Sequence, residues 1–167
     1  MTLLYRFVPN SSQDTGGGFL SSITINSYNK KMAPYRIVEH TADAGVYVTG
    51  GTLEELFADA ARGMMSVISE VPPEGWPETH VVELSAPDAE SLIVDWLAEL
   101  LYLLEVKNFF TTDPRVEKVE GGEMRAVVGG ARLRGVVHAT EIKAVTHHMI
   151  SVDRTMNGFE TTIYFDL

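Results

Sequence analysis

The segment from Asp88 to Lys107 constrains this chain more than any other stretch. Leu92, Trp96, Leu100, Leu103 and Leu104 recur at helical spacing, and Ile93, Leu97 and Leu101 widen the stripe. An amphipathic surface helix carries a narrower apolar face, so this one is predicted to lie largely buried against a sheet. Pro87-Asp88 opens it and Asn108 follows it. A second helix is predicted from Thr52 to about Ser69. Thr52-Leu53-Glu54-Glu55 reads as a capping box, and Leu53, Leu56, Phe57, Ala60, Met64, Val67 and Ile68 form one face. Val71-Pro72-Pro73-Glu74-Gly75 ends it. Trp96 and the Met64-Met65 pair are read as core.

The rest of the body reads as strands. Tyr35–Glu39 and Gly45–Thr49 flank a turn, and Thr79–Leu84 alternates between the two helices. Beyond Asn108 come Val116–Glu120, Glu123–Val128, Val136–Thr146 (open to a break), Met149–Val152 and Thr161–Phe165. Gly121-Gly122 predicts a tight hairpin turn, and Asn157-Gly158 a two-residue hairpin loop. The expected fold is an α/β protein of the α+β type, with two helices packed on a mixed, mostly antiparallel sheet.

Length and charge narrow the function. With 167 residues the chain holds one domain with a real core. The net charge is −10, but residues 1–32 carry Arg6, Lys30 and Lys31 against Asp14, a balance of +2 that leaves −12 for residues 33–167. A body so acidic repels phosphate backbones, so direct nucleic-acid binding is not expected. No apolar run approaches the roughly 20 residues of a membrane span. Cysteine is absent, which removes disulfides, thiolate ligands and a cysteine nucleophile, and fits a reducing compartment such as the cytoplasm. Residues 1–32, with the polar, glycine-rich run Asn10 to Gly18, are expected to be a disordered extension ahead of a domain at 33–167. Met32-Ala33-Pro34 suggests Met32 as the true initiator, which a peptide from residues 1–31 would refute.

The candidate chemistry lies in two places. His40-Thr41-Ala42-Asp43 puts a histidine and a carboxylate three apart in the loop between the first two strands. The chain closes on Phe165-Asp166-Leu167, where Asp166 sits beside the terminal carboxylate. If the first and last strands are neighbours, Asp43, Asp166 and Leu167 share one pocket. Converging carboxylates repel, and a hard cation with oxygen ligands relieves that repulsion. The plain alternative makes Asp43 a turn former ahead of Gly45 and Asp166 a solvated end residue. His80, His138 and the pair His147-His148 give a weak zinc signal, because neighbours on a strand face opposite ways. No HExxH helix, P-loop or GxSxG elbow is present.

Three blocks together carry a resemblance. They are Tyr35 through His40-Thr41-Ala42-Asp43 into Thr52-Leu53-Glu54-Glu55-Leu56-Phe57-Ala58-Asp59-Ala60-Ala61, then Leu92 to Tyr102, then Glu141 to His148 with the closing Phe165-Asp166-Leu167. In order and register they resemble the archease family over residues 35–167. The resemblance implies a metal site on Asp43, Asp166 and Leu167, with His40, Lys143 and His148 as further pocket residues. It implies a divalent cation, Ca²⁺ first and Mg²⁺ or Mn²⁺ otherwise, and an RtcB-type tRNA-splicing ligase as partner. There the protein would be a non-enzymatic activator of guanylylation by GTP and of multiple turnover. A chaperone-like role towards a tRNA methyltransferase is the alternative, and a small metal-dependent hydrolase a third reading. Two positions depart from the family pattern: His147 stands where Tyr is usual, and Leu167 where Ile is common.

Overall fold

The computed structural model describes residues 34–39, 43–133 and 140–167, with the side chains of Glu39 and Asp43 left aside. The elements run β1 (Tyr35–Glu39), β2 (Asp43–Gly50), α1 (Leu53–Ile68), β3 (Gly75–Ser85), α2 (Ala89–Lys107), β4 (Phe109–Glu120), β5 (Glu123–Leu133), β6 (Ala144–Val145), β7 (Asp153–Thr155) and β8 (Gly158–Asp166). The strands form two sheets. One has the order β1-β2-β8-β6, with β7 also on β8; the other is β3-β5-β4. Every pairing among the described residues is antiparallel. The expected α+β fold with two helices holds, with its strands divided over two sheets.

Both helices start where side-chain chemistry says they should. Thr52 accepts from the Glu55 amide at 3.2 Å, satisfying one orphan donor of the first turn. Glu55 completes the box one residue early, accepting from the Gly51 amide at 2.8 Å. Asp88 caps α2 by accepting from the Ser91 amide at 2.7 Å, and Asn108 ends it in the left-handed conformation at φ 53°. An acidic residue in each first turn also reaches a distant strand or loop. Glu54 accepts from the Val119 amide at 3.1 Å, and Glu90 from the Val152 amide at 3.0 Å. Burial alone would raise the Glu54 carboxyl; the hydrogen bonds it accepts from the first turn and Val119 outweigh this and hold it below its ordinary value.

The wide stripe on α2 is spent as predicted. Leu92, Ile93, Trp96, Leu97 and Leu100 are essentially inaccessible, and α2 packs on strands of both sheets. Helix α1 bridges the sheets too, lying on β1 and β2 on one side and β4 on the other. Trp96 joins the helices, donating its Nε1–H to the buried Phe57 carbonyl at 3.0 Å. Gly63 lets α1 approach β2 closely, because a Cβ there would meet the Val46 side chain.

The strands depart from expectation in instructive ways. β3 and β4 run longer than the pattern suggested, since Pro77 and Pro114 interrupt the alternation. Proline is tolerated there because both strands are sheet edges, and β4 adds bulges at Thr112 and Glu117. Gly121-Gly122 turns the β4–β5 hairpin with φ of 61° and 78°, as predicted. The later hairpin loop is Met156-Asn157, one residue earlier than expected, and Gly158 opens β8 at φ 133°. The strand expected at Met149–Val152 is instead a turn with Met149 at φ 52°, and pairing begins at Asp153. Of the segment 136–146, residues 136–139 lie outside the described residues and only Ala144–Val145 pair. The extension at 1–32 also lies outside them.

Candidate metal centre

The end of β8 is held by partners on both sides. Along one edge it pairs with β2 from Gly50↔Phe159 to Asp43↔Asp166. Along the other it pairs with β7 at its start and with β6 at its end, Ala144 opposite Asp166 and Val145 opposite Phe165. Two hydrogen bonds fasten the β6 side: the Lys143 amide donates to the Asp166 carbonyl at 2.8 Å and the Thr146 amide to the Tyr164 carbonyl at 3.1 Å. Ile163 and Phe165 are fully buried, so strand alternation sends Asp166 to the opposite, solvent-facing side. The apolar residues fix the strand, and that fixes where the exposed carboxylate stands.

The sequence condition, that the first and last strands be neighbours, is not met as stated: the neighbour of β8 is the second strand, β2, with β1 beyond it. Asp43 and Asp166 are direct register partners although 123 positions separate them. Leu167 lies just beyond, 37% exposed, and its main-chain oxygen accepts from Lys143 Nζ at 2.7 Å. Lys143 therefore already spends its charge on one of the oxygens at this end. His148 packs near Tyr164, ring centroids 6.3 Å apart at 60°, two residues from Asp166 along β8. His40 lies outside the described residues, as does His138.

The histidine pair diverges, as the sequence suggested, though for another reason. Both residues follow β6 in a loop rather than a strand. His147 lies near Asp88 at the start of α2. The Asp88 carboxyl is held below its usual range, first by the hydrogen bonds from Ser91 and only lastly by His147. His80 is remote, packed edge-on against Phe109 with centroids 4.5 Å apart. Its Nε2 lies 2.9 Å from Glu78 Oε1, yet that atom is buried without a properly directed hydrogen bond among the described residues.

Among the described residues no three His, Asp or Glu side chains gather into a metal-binding group. The Asp166 carboxylate and the main-chain oxygens at the β2–β8 end are of the donor type a hard cation prefers over nitrogen or sulfur. Sequence reasoning missed Ala144 and the Lys143 amide as the clamp on Asp166, since a two-residue strand leaves no periodic signal. It also missed that the other end of the same ladder, about 24 Å away at about 3.4 Å per residue, opens into a polar groove. That groove is lined by Tyr47, Glu55, Asp59, Arg62 and Glu160. Tyr47 donates to Glu160 Oε2 there at 2.7 Å, a bond that pushes the phenol above its ordinary value, with burial adding to it. Among the described residues no helix is long and apolar enough to cross a membrane.

Comparisons with known proteins cover the domain as a whole. A model of the Archease protein family matches residues 35–167. The protein archease of Methanosarcina acetivorans is 39% identical over 139 residues, covering 80% of this chain and 95% of its own. That of Archaeoglobus fulgidus is 33% identical over 135 residues, covering 80% and 98%. Among solved structures, protein 1598 of Methanobacterium thermoautotrophicum is similar at a TM-score of 0.67 and 28% identity, covering 81% of this chain and all of that one. An archease from Thermotoga maritima, described as a possible chaperone, shares the fold at a TM-score of 0.55 and 24% identity, covering 78% and 94%.

Proposed function

This chain belongs to the archease protein family, and from that premise we propose that it is a metal-binding, non-enzymatic activator of an RtcB-type, GTP-dependent RNA ligase in tRNA splicing. The observation that carries this reading is the direct pairing of Asp43 with Asp166 at the exposed end of the β2–β8 ladder. It brings two carboxylate-bearing residues and the Leu167 oxygen to one edge of the fold. Asp43, Asp166 and Leu167 would hold a divalent cation, Ca²⁺ in the isolated protein or Mg²⁺ or Mn²⁺ in its place. Such a cation, when bound, supplies charge neutralisation for nucleotide phosphates. The chain's own residues do the placing. Phe165 and Ile163 anchor the strand, the Lys143 amide clamps Asp166, and the Lys143 ammonium orients Leu167. His148, packed near Tyr164 two residues before Asp166, would stand at the pocket rim.

The reading also agrees with charge. A body carrying −12 favours the protein that joins RNA over RNA itself as its target. Asp43→Ala should abolish stimulation of ligase guanylylation while leaving the thermal transition unchanged. Full stimulation by this variant would reject the metal-pocket mechanism. The alternative is a chaperone-like partner of a tRNA methyltransferase. It predicts suppression of partner aggregation that a chelator does not alter.

A further inference from the structure

A second site lies away from the β2–β8 tip, between the C-terminal half of α1 and the bulged start of β4. It is a pocket of about 200 Å³ lined by Tyr35, by α1 and the segment after it from Arg62 to Pro72, and by β4 from Phe110 to Pro114. Small-molecule sites usually run to about 300–1,000 Å³. This one is the size for the end of a single long side chain.

The chemistry of its wall selects the occupant. Thr111 is 1% exposed, and its Oγ1 is buried without a hydrogen-bond partner among the described residues, a state that costs free energy. Ser66 and Ser69 already donate their hydroxyl protons, to the Gly63 and Val71 carbonyls at 2.7 Å each, so both offer only acceptor lone pairs. Glu70 is exposed and makes no ion pair among the described residues. The wall includes the last turn of α1, where the helix dipole is negative and no basic residue answers it. Arg62, the one cation among the described residues of the wall, bonds the Pro114 carbonyl there at 3.3 Å, and its charge is already answered by Asp59 at 2.5 Å. What remains is a surplus of acceptors and negative charge above an apolar floor of Met65, Phe110 and Tyr35.

We infer that this pocket receives a lysine or arginine side chain from the partner protein. The apolar floor takes its methylene stem, and Glu70, the serine and threonine hydroxyls and the α1 terminus take its charged head. A partner that handles RNA carries such side chains on its surface, because it must neutralise phosphates. The identity of that partner rests on the activator reading above; the selectivity of the pocket does not.

The test has two stages on the full chain. In the first, Nα-acetyl-lysine amide is titrated while the backbone amide signals of Ser66, Ser69, Thr111 and Thr112 are followed. Nα-acetyl-norleucine amide supplies the same stem without charge, and inorganic phosphate supplies the opposite charge. Saturable shifts with the lysine compound alone, lost in Glu70→Lys, are expected. Shifts with phosphate, or equal shifts with norleucine, overturn the proposal. Thr111→Val adds a control on folding: it removes an unpaired hydroxyl, so stability should hold or rise while affinity falls about threefold to tenfold. A loss of stability in that variant would mean the hydroxyl already has a structural partner, and overturns it too.

In the second stage, ligase guanylylation is measured against activator concentration. Glu70→Lys should raise the half-maximal concentration about tenfold or more with the plateau unchanged. Asp43→Ala should instead lower the plateau. Wild-type stimulation with an unmoved half-maximal concentration in Glu70→Lys overturns the docking pocket alone. Absence of wild-type stimulation overturns the activator reading, and the lysine titration still decides the pocket.

Discussion

The two sheets solve the same burial problem with opposite wiring. The β3-β5-β4 sheet is built on the β4–β5 hairpin with long, nearly continuous ladders. Its outer face is knit by charge, Arg125 bridging Glu83 on β3 and Glu117 on β4. The other sheet inserts the last strand, β8, between β2 from the start of the domain and the short β6 and β7. Adjacency dictates the β4–β5 pair of the first sheet, which β3 joins from across α2, whereas the second sheet turns on the non-local pair β2 with β8, dictated by the core. The candidate site stands on the non-local sheet, where residues far apart in sequence become neighbours.

The comparison can be broken first at its anchors. Phe165→Ala on β8 and Phe109→Ala on β4 each empty a fully buried ring site and should each cost about 3–5 kcal/mol, read by denaturant unfolding. Only Phe165→Ala should also impair stimulation of a partner ligase, since it loosens the strand that carries Asp166. Equal functional loss from both would show that the site is not particular to the non-local sheet. The turns give the next contrast. Gly158 has φ 133°, and a Cβ there would run into the Gly50 carbonyl; Gly121 has φ 61° with open space around it. Gly158→Ala should cost about 1–3 kcal/mol, and Gly121→Ala about 1 kcal/mol. The reverse order in thermal unfolding would contradict the close approach of β8 to β2.

Smaller effects sharpen the picture at the groove end of the same ladder. Thr52→Ala should cost about 1 kcal/mol by freeing the Glu55 amide; an unchanged melting temperature would mean another group caps α1. Tyr47→Phe probes pH. The Tyr47 phenol is raised because its hydroxyl donates to Glu160, so the folded state favours the protonated form. That contribution is fully present below the ordinary tyrosine value near 10 and is lost as pH rises through the raised one. The wild type should therefore lose its margin over Tyr47→Phe at alkaline pH in a melting series. A constant margin would show that the phenol does not ionise in that range.

How far each feature could be read in advance follows from this wiring. Both helices were legible to within a residue, because Thr52, Asp88 and Asn108 are local chemical signals and the apolar faces repeat locally. The Gly121-Gly122 turn was equally plain. Strand lengths were not: Pro77 and Pro114 argue against a strand until one knows that they fall on edges. Nor was the true position of the second hairpin, where Asn157 stays out of the left-handed region and Gly158 takes the unusual φ instead. For the candidate site, the residue types were visible as a histidine, carboxylates and a closing Asp-Leu. The clamp by Lys143 and Ala144 was not, and neither was the pocket around Thr111, because a bulge and a helix end create it together.

What the sequence alone determined is the two helices and most of the strands, the burial of α2, the family and the acidity that argues against direct nucleic-acid binding. Capping, periodicity and charge are properties of neighbouring residues, and they survive without a fold. What only the tertiary structure decided is the division into two sheets, the placing of β8 against β2 and the meeting of Asp43 with Asp166. Those depend on register between distant strands, and register is set by which side chains can be buried together. Ile163 and Phe165 could fill the core in one alignment, and that alignment carried Asp166 to its partner.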